Sequence, residues 1–232
     1  MAVSFVKKLG TVSGATGSAQ NITIPAGGVA LGDLIVFSIA SNGTFTSLVD
    51  SKSNPYALGR QSTAQRGVFM YYTRAVTALV SGDTISVTFA AGAFLCAAAA
   101  QWTNIDPNSL DTVAASNSAA VTSLPVGPAR PTTYEDSLAV AAFAVVGGTA
   151  DVTPDAAYTE LDDFNNSGND VHLEWEYRIL TTHDAPSATA SVAVASSYDA
   201  VLCTFKGLTP PATPYTQLGG TQLPDDPNWQ AT

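Results

Sequence analysis

The sequence predicts an all-β protein: a jelly-roll-like β-sandwich built from two similar half-units, with an extended C-terminal arm. Three observations lead there. Hydrophobic residues make up 46% of the 232, yet Ala, Val, Ser, Thr and Gly do most of the filling, punctuated by 18 Gly and 13 Pro. That mixture suits short strands better than helices. Apolar stretches are separated by turn chemistry such as "PAGG", "SNG", "SGD", "NNSGND" and "DAPS". Finally, three blocks recur in order, which marks an internal duplication.

"GDLIVFSIAS" from Gly32 is echoed by "DSLAVAAFAV" from Asp136, and "VFMYYTRAVT" from Val68 by "HLEWEYRILT" from His172. Both pairs share an offset of 104, which also sets Arg74 against Arg178. "FLCAAAAQWTNIDP" from Phe94 is echoed by "DAVLCTFKGLTP" from Asp199, shifted by one so that Trp102 meets Phe205. The duplicated units span about 20–107 and 121–210 of one domain, 1–208. Strands are expected at 20–24, 34–40, 67–76, 84–90 and 94–103, then at 121–126, 138–146, 170–181, 188–195 and 200–206. Short extra strands fit near 44–50 and 158–161. "CAAAAQW" has helix propensity, but its copy carries Val, Thr and Phe, so both are read as strands, the alanines meaning crowding on both faces. Cys96 and Cys203 then fall on core-facing positions as free thiols.

Charged residues are only 12% of the chain, and the net charge of −10 argues against nucleic-acid binding, since phosphate contacts need clustered Lys and Arg. Residues 1–109 carry six basic and four acidic side chains; residues 110–232 carry three and fifteen. No apolar run is long enough to span a bilayer. "MAVSFVKKLG" reverses the order of a signal peptide, so synthesis in the cytoplasm is expected. Beyond residue 208 the chain turns Pro/Gly-rich, with Tyr215, Leu218, Leu223 and Trp229 as spaced apolar anchors of an arm that docks on a surface.

"VHLEWEYRI" (171–179) places Glu174 and Glu176 beside His172 and Trp175, at about 6.5–7 Å between alternate Cα atoms. That spacing is compatible with a glycosidase pair. The alternation instead predicts a half-buried strand, with Val171, Leu173, Trp175, Tyr177 and Ile179 inside. His172, Glu174, Glu176 and Arg178 form a wet row in which both glutamates stay ionised. The offset of 104 sets Val68, Met70 and Tyr72 against that row, so the first copy is apolar on both faces. Its second face is therefore expected to be covered, by the arm, an insertion or another subunit. His183-Asp184 reads as a turn. Residues 162–174 hold oxygens enough for calcium but lack the EF-hand order, and read as an acidic hairpin tip. No nucleophile elbow, P-loop or dinucleotide fingerprint occurs. Catalytic, cofactor-binding and metal-binding residues are expected to be none.

The turn Pro25–Gly27, the strand start Gly32–Leu34, the strand Tyr71–Arg74 and the closing Asn104–Pro107 resemble a β-sandwich module of tailed-bacteriophage virion proteins, of minor tail or decoration type. The likeness covers most of residues 20–208 and departs at Asn104-Ile105, where that module has Gly-Val. It implies a non-enzymatic virion structural protein, made in the host cytoplasm and assembling with other virion proteins and copies of itself. The interface candidates are then Val68, Met70, Tyr72, Tyr215, Leu218, Leu223 and Trp229. The alternative is a carbohydrate-binding adhesin module touching host glycans through Tyr56, Tyr158, Phe164 or Trp229; a glycosidase ranks third.

Overall fold

The computed structural model describes residues 2–15, 19–90, 94–146, 151–166 and 171–208, and among these every regular element is a strand. The first half contributes β1 (Ser4–Ala15), β2 (Gln20–Thr23), β3 (Leu34–Ser41), β4 (Phe45–Asp50), β5 (Ala57–Ser62), β6 (Gly67–Arg74), β7 (Thr84–Phe89) and β8 (Phe94–Thr103). The second contributes β9 (Ile105–Val126), β10 (Ser137–Val146), β11 (Val152–Thr153), β12 (Thr159–Asn165), β13 (Val171–Leu180) and β14 (Ala188–Gly207). The protein is thus all-β and sandwich-like, as its patterning predicts.

The half-units keep their strands in separate sheets. A large antiparallel sheet, β1-β8-β3-β6-β5, is covered on one face by the small sheet β2-β7-β4. The second half repeats this plan as β9-β14-β10-β13-β12. Here β9 and β14 are long enough to serve twice. Their first and last parts, respectively, pair within the large sheet, and 123–126 pairs with 188–191 to form the cover with β11. The two large sheets then face each other across a third core, giving cover, sheet, sheet, cover.

That layering explains the alanines. In β8, Ala98 and Ala100 meet the second half while Ala97 and Ala99 meet the first cover, all fully buried. A strand between two packed layers presents no wet face, and small side chains let both neighbours approach. Cys96 and Cys203 are free and lie in the core between the large sheets. Burial pushes both thiols up, that of Cys96 to about 12. Trp102 and Trp175 meet edge-to-face in the same core at 6.4 Å, and Tyr72 meets Phe205 at 5.3 Å.

The duplication extends to register and defects. Leu34 pairs with Trp102 on one side and Arg74 on the other; Leu138 pairs with Phe205 and Ile179. Both edge strands carry a bulge at the same place, between Leu58 and Arg60 in β5 and between Glu160 and Asp162 in β12. At the first bulge Gly59 leaves room for the second half, since a Cβ there would lie 2.9 Å from Cys203 Sγ. Asp199 adds a polar lock. Fully buried on β14, its carboxylate accepts hydrogen bonds from Ser62 Oγ and from the backbone N–H groups of Ala64, Gln65 and Arg66.

Several sequence expectations change here. Strands β1, β5 and the first part of β9 escape sequence reading because their residues are largely polar and lie at sheet edges. The strands expected at 121–126, 188–195 and 200–206 belong to two continuous long strands. The β6-to-β13 offset is 105 rather than 104: Tyr72 and Tyr177 both lie opposite the equivalent valines, Val36 and Val140. A one-residue slip exchanges the two faces of a strand. Val68, Met70 and Tyr72 therefore correspond to Leu173, Trp175 and Tyr177, and all six lie in the central core. The cover expected over them is the second half of the same chain. Tyr215, Leu218, Leu223 and Trp229, with the rest of the arm, lie outside the described residues.

Candidate functional site

The outer face of β13 is where the chain departs furthest from its own pattern. His172, Glu174 and Glu176 were expected to be wet, yet Glu174 and Glu176 are both 0% exposed and His172 is buried. Alternation of apolar and charged residues distinguishes two faces; it does not say that the charged one meets water. Here the second cover and the segment 151–158 close over it.

Pairing across β13 fixes the cluster. On β12, Glu160 lies opposite Glu176, Asp163 opposite Glu174, and Asn165 opposite His172. On the other side, β10 offers Ala141 and Phe143, which bring no polar partner. Cross-strand partners share a face, so Glu174, Glu176 and Asp163 crowd together. His172 Nε2 donates to Asp163 Oδ1. Asp163 Oδ2 accepts from the backbone N–H of Val152 at 3.2 Å, and Glu176 Oε2 from that of Asp155 at 2.8 Å. Both oxygens of Glu174 are buried with no hydrogen-bond partner among the described residues, and so are Glu176 Oε1 and His172 Nδ1.

Electrostatics follow from that burial. The Glu174 carboxyl is pushed up to about 10, first by burial and then by the charges of Asp163 and Glu176. Glu176 rises to about 8 by burial, although the Asp155 N–H pulls it down. Asp163 rises to about 6, again by burial, against the Val152 N–H. Burial lowers His172. At neutral pH the two glutamates are protonated, and Asp163 is an ionised acceptor for a neutral imidazole. This reverses the expectation of a solvated, ionised row.

As chemistry, the pair has one property of a general acid, a raised pKa in an apolar setting, but it is sealed beneath the cover. Among the described residues no group of three or more His, Cys, Asp or Glu is arranged to hold a metal ion. In the region considered for calcium, Asp162 pairs with Lys8 at 3.4 Å, Asp163 meets His172, and residues 167–170 lie outside the described residues.

The other predicted residues scatter. Tyr158 is buried and Tyr56 and Phe164 are half-buried against different cores, so these three rings form no shared platform; Trp229 lies outside the described residues. His183 stands at the surface, 3.8 Å from Glu135. Two surface features were not expected from sequence. One is a groove of about 390 Å³ at an end of the first half, between 27–30 and 78–81. The loops carrying it join through the Val29–Leu79 bridge and expose Leu31, Val76 and Val80 by 68%, 61% and 59%. The other is a groove of about 230 Å³ between the halves, lined by Phe5, Lys8, Thr159, Glu160, Leu161 and Tyr177. Single exposed apolar residues in turns give no sequence signal until the fold gathers them.

No protein-family model, curated protein or solved structure matches this chain.

Proposed function

We propose that the protein is a non-enzymatic structural module of a bacteriophage virion, a minor tail or capsid-surface decoration protein acting through protein–protein assembly. The observation that supports assembly is the apolar end of the first half, where Val80 lines the groove at 27–30 and 78–81 and Leu31 and Val76 stand exposed beside it in the chain. Clustered exposed apolar side chains of this kind mark interaction surfaces. The virion setting rests on the resemblance carried by Pro25–Gly27, Gly32–Leu34, Tyr71–Arg74 and Asn104–Pro107. The partners are other virion proteins and further copies of the chain. The test is to purify the particles, locate the chain by labelled imaging, and repeat with Leu31→Asp/Val80→Asp. The wild type should occupy regular positions and the variant should be missing from them. A chain absent from particles, or a variant incorporated normally, would count against this reading.

A second reading, a module binding host-surface glycans, has one observation in its favour. Phe5 stacks on Tyr177 at 5.2 Å beside Lys8 and Glu160 in the groove between the halves, a mixture of ring faces and polar groups suited to a sugar. Absence of signal on a glycan array would remove it.

A further inference from the structure

We propose that Glu174, Glu176 and Asp163 form a proton-controlled latch: while the glutamates carry protons, segment 151–158 lies closed over the second large sheet, and proton loss releases it.

The geometry supplies both halves of this device. The closed segment is held by few bonds, and most of them run through acids. β11 pairs with β14 over two residues only, Val152 with Val192 and Thr153 with Ser191. Beyond that, Val152 N–H reaches Asp163, Asp155 N–H reaches Glu176, and the Asp155 carboxylate accepts from Thr189 N–H at 2.8 Å. Beneath lies Glu174, fully buried, with no group among the described residues donating to either oxygen. In the first half the matching cover β4 is six residues long and pairs along β7, over Phe69 and Tyr71. The second cover is therefore the weaker of the two, and it closes over carboxyl groups where the first closes over aromatic rings.

The charges around the latch set its sign. From β12 come Glu160, Asp162 and Asp163; from β13, His172, Glu174, Glu176 and Arg178; from the closing segment, Asp151, Asp155 and Tyr158. β10 contributes only Ala141 and Phe143 opposite the glutamates. Acids dominate, so a second negative charge has no compensating cation at hand. Arg178 leans toward Asp184 at 3.4 Å, and Lys8 toward Asp162. Opening returns the glutamates to water, where a carboxyl titrates near 4.3. Between that value and about 8 for Glu176, or about 10 for Glu174, the closed form holds protons that the open form gives up. Opening is therefore favoured by rising pH, by about tenfold per pH unit for each carboxyl.

Amide hydrogen exchange of the full chain from pH 6 to 9, normalised for intrinsic base catalysis, tests this. Protection of the Val152 and Asp155 amides should fall by about a hundredfold per unit below pH 8 and about tenfold per unit above it. Amides of the first cover, β4, serve as the internal control and should stay flat. Glu174→Gln/Glu176→Gln should hold the segment closed and abolish the dependence; the single variant Glu176→Gln, should the double variant not fold, should remove about one decade per unit. Equal behaviour of the two covers, or a wild-type slope in the Gln variants, would overturn the proposal. So would protection at pH 9 that millimolar calcium chloride restores and a chelator removes, because a cation would then be the controlling ligand.

Discussion

The same two positions in the two halves hold opposite chemistry. Phe69 and Tyr71 on β6 lie under a cover where Phe45 stacks on Tyr71 at 4.9 Å and Phe69 meets Phe89 at 6.1 Å. Their counterparts on β13, one pairing step from the equivalent residues of β10, are Glu174 and Glu176. Topology, register and bulge are shared, so the backbone frame does not dictate what fills the space between sheet and cover. The first half fills it with rings and gains burial free energy. The second fills it with carboxyls that burial forces to keep their protons, and whose remaining polar atoms lack donors. Duplication preserved the frame and left the layers free to diverge.

Placing the second half's chemistry in the first should have the largest effect. Phe69→Glu removes a ring from the first cover core and buries a carboxyl with no acidic or basic neighbour arranged for it, so a loss of more than about 4 kcal/mol is expected in urea denaturation at pH 7. A smaller loss would mean that the first cover yields as readily as the second. Asp199→Ala tests another divergence, since its counterpart opposite the equivalent alanine of β3 is Cys96. It strands three backbone N–H groups and Ser62 Oγ, and about 3–5 kcal/mol should be lost.

The opposite sign is expected for Glu176→Gln. A folded-state pKa raised above that of the unfolded chain contributes stability that is full below the unfolded value and lost as pH rises through the folded one. For Glu176 that window runs from about 4.3 to about 8, so the wild type should be more stable at pH 5 than at pH 8. The Gln variant should remove about half of the difference, Glu174 supplying the rest, and gain on the order of 2 kcal/mol at pH 8. Equal wild-type stability at the two pH values, measured by thermal melts in matched salt, would contradict the buried state of the cluster. The smallest effect should come from Gly59→Ala, which pushes a methyl against Cys203 Sγ where the second copy carries Leu161; about 1–2 kcal/mol is expected.

Much of the frame was legible. The repeated blocks located the strands from β2 to β14 that carry apolar runs, and the alanines of β8 announced a strand packed on both faces. The cluster on β13 was visible as residues but not as an environment. Period-two alternation separates Glu174 from Trp175 whether the charged face meets solvent or a second layer. The alignment of the copies added to this, because matching Arg74 with Arg178 maximises identity, whereas the ladder pairs Arg74 and Ile179 with equivalent leucines. Arginine at a strand end is free to sit on either side of such a slip, so side-chain identity there carries little register information. Strands β1 and β5 stayed hidden because edge strands read as polar loops.

What the sequence determined by itself is therefore local and periodic: an all-β chain, duplicated, with core-facing thiols and inward-facing Trp175 and Tyr177. Those features follow from side-chain volume, propensity and the two-residue repeat, all of which act over a few residues. Tertiary structure alone decided that the half-units stack as complete covered sheets, that Val68 and Met70 bury against their own duplicate, and that Glu174 and Glu176 lie in the dark. The environment of a side chain is set by whatever closes over it. Here that closing segment is distant along the β13 ladder and tied down by backbone N–H groups, which every residue but proline possesses and no sequence pattern reveals.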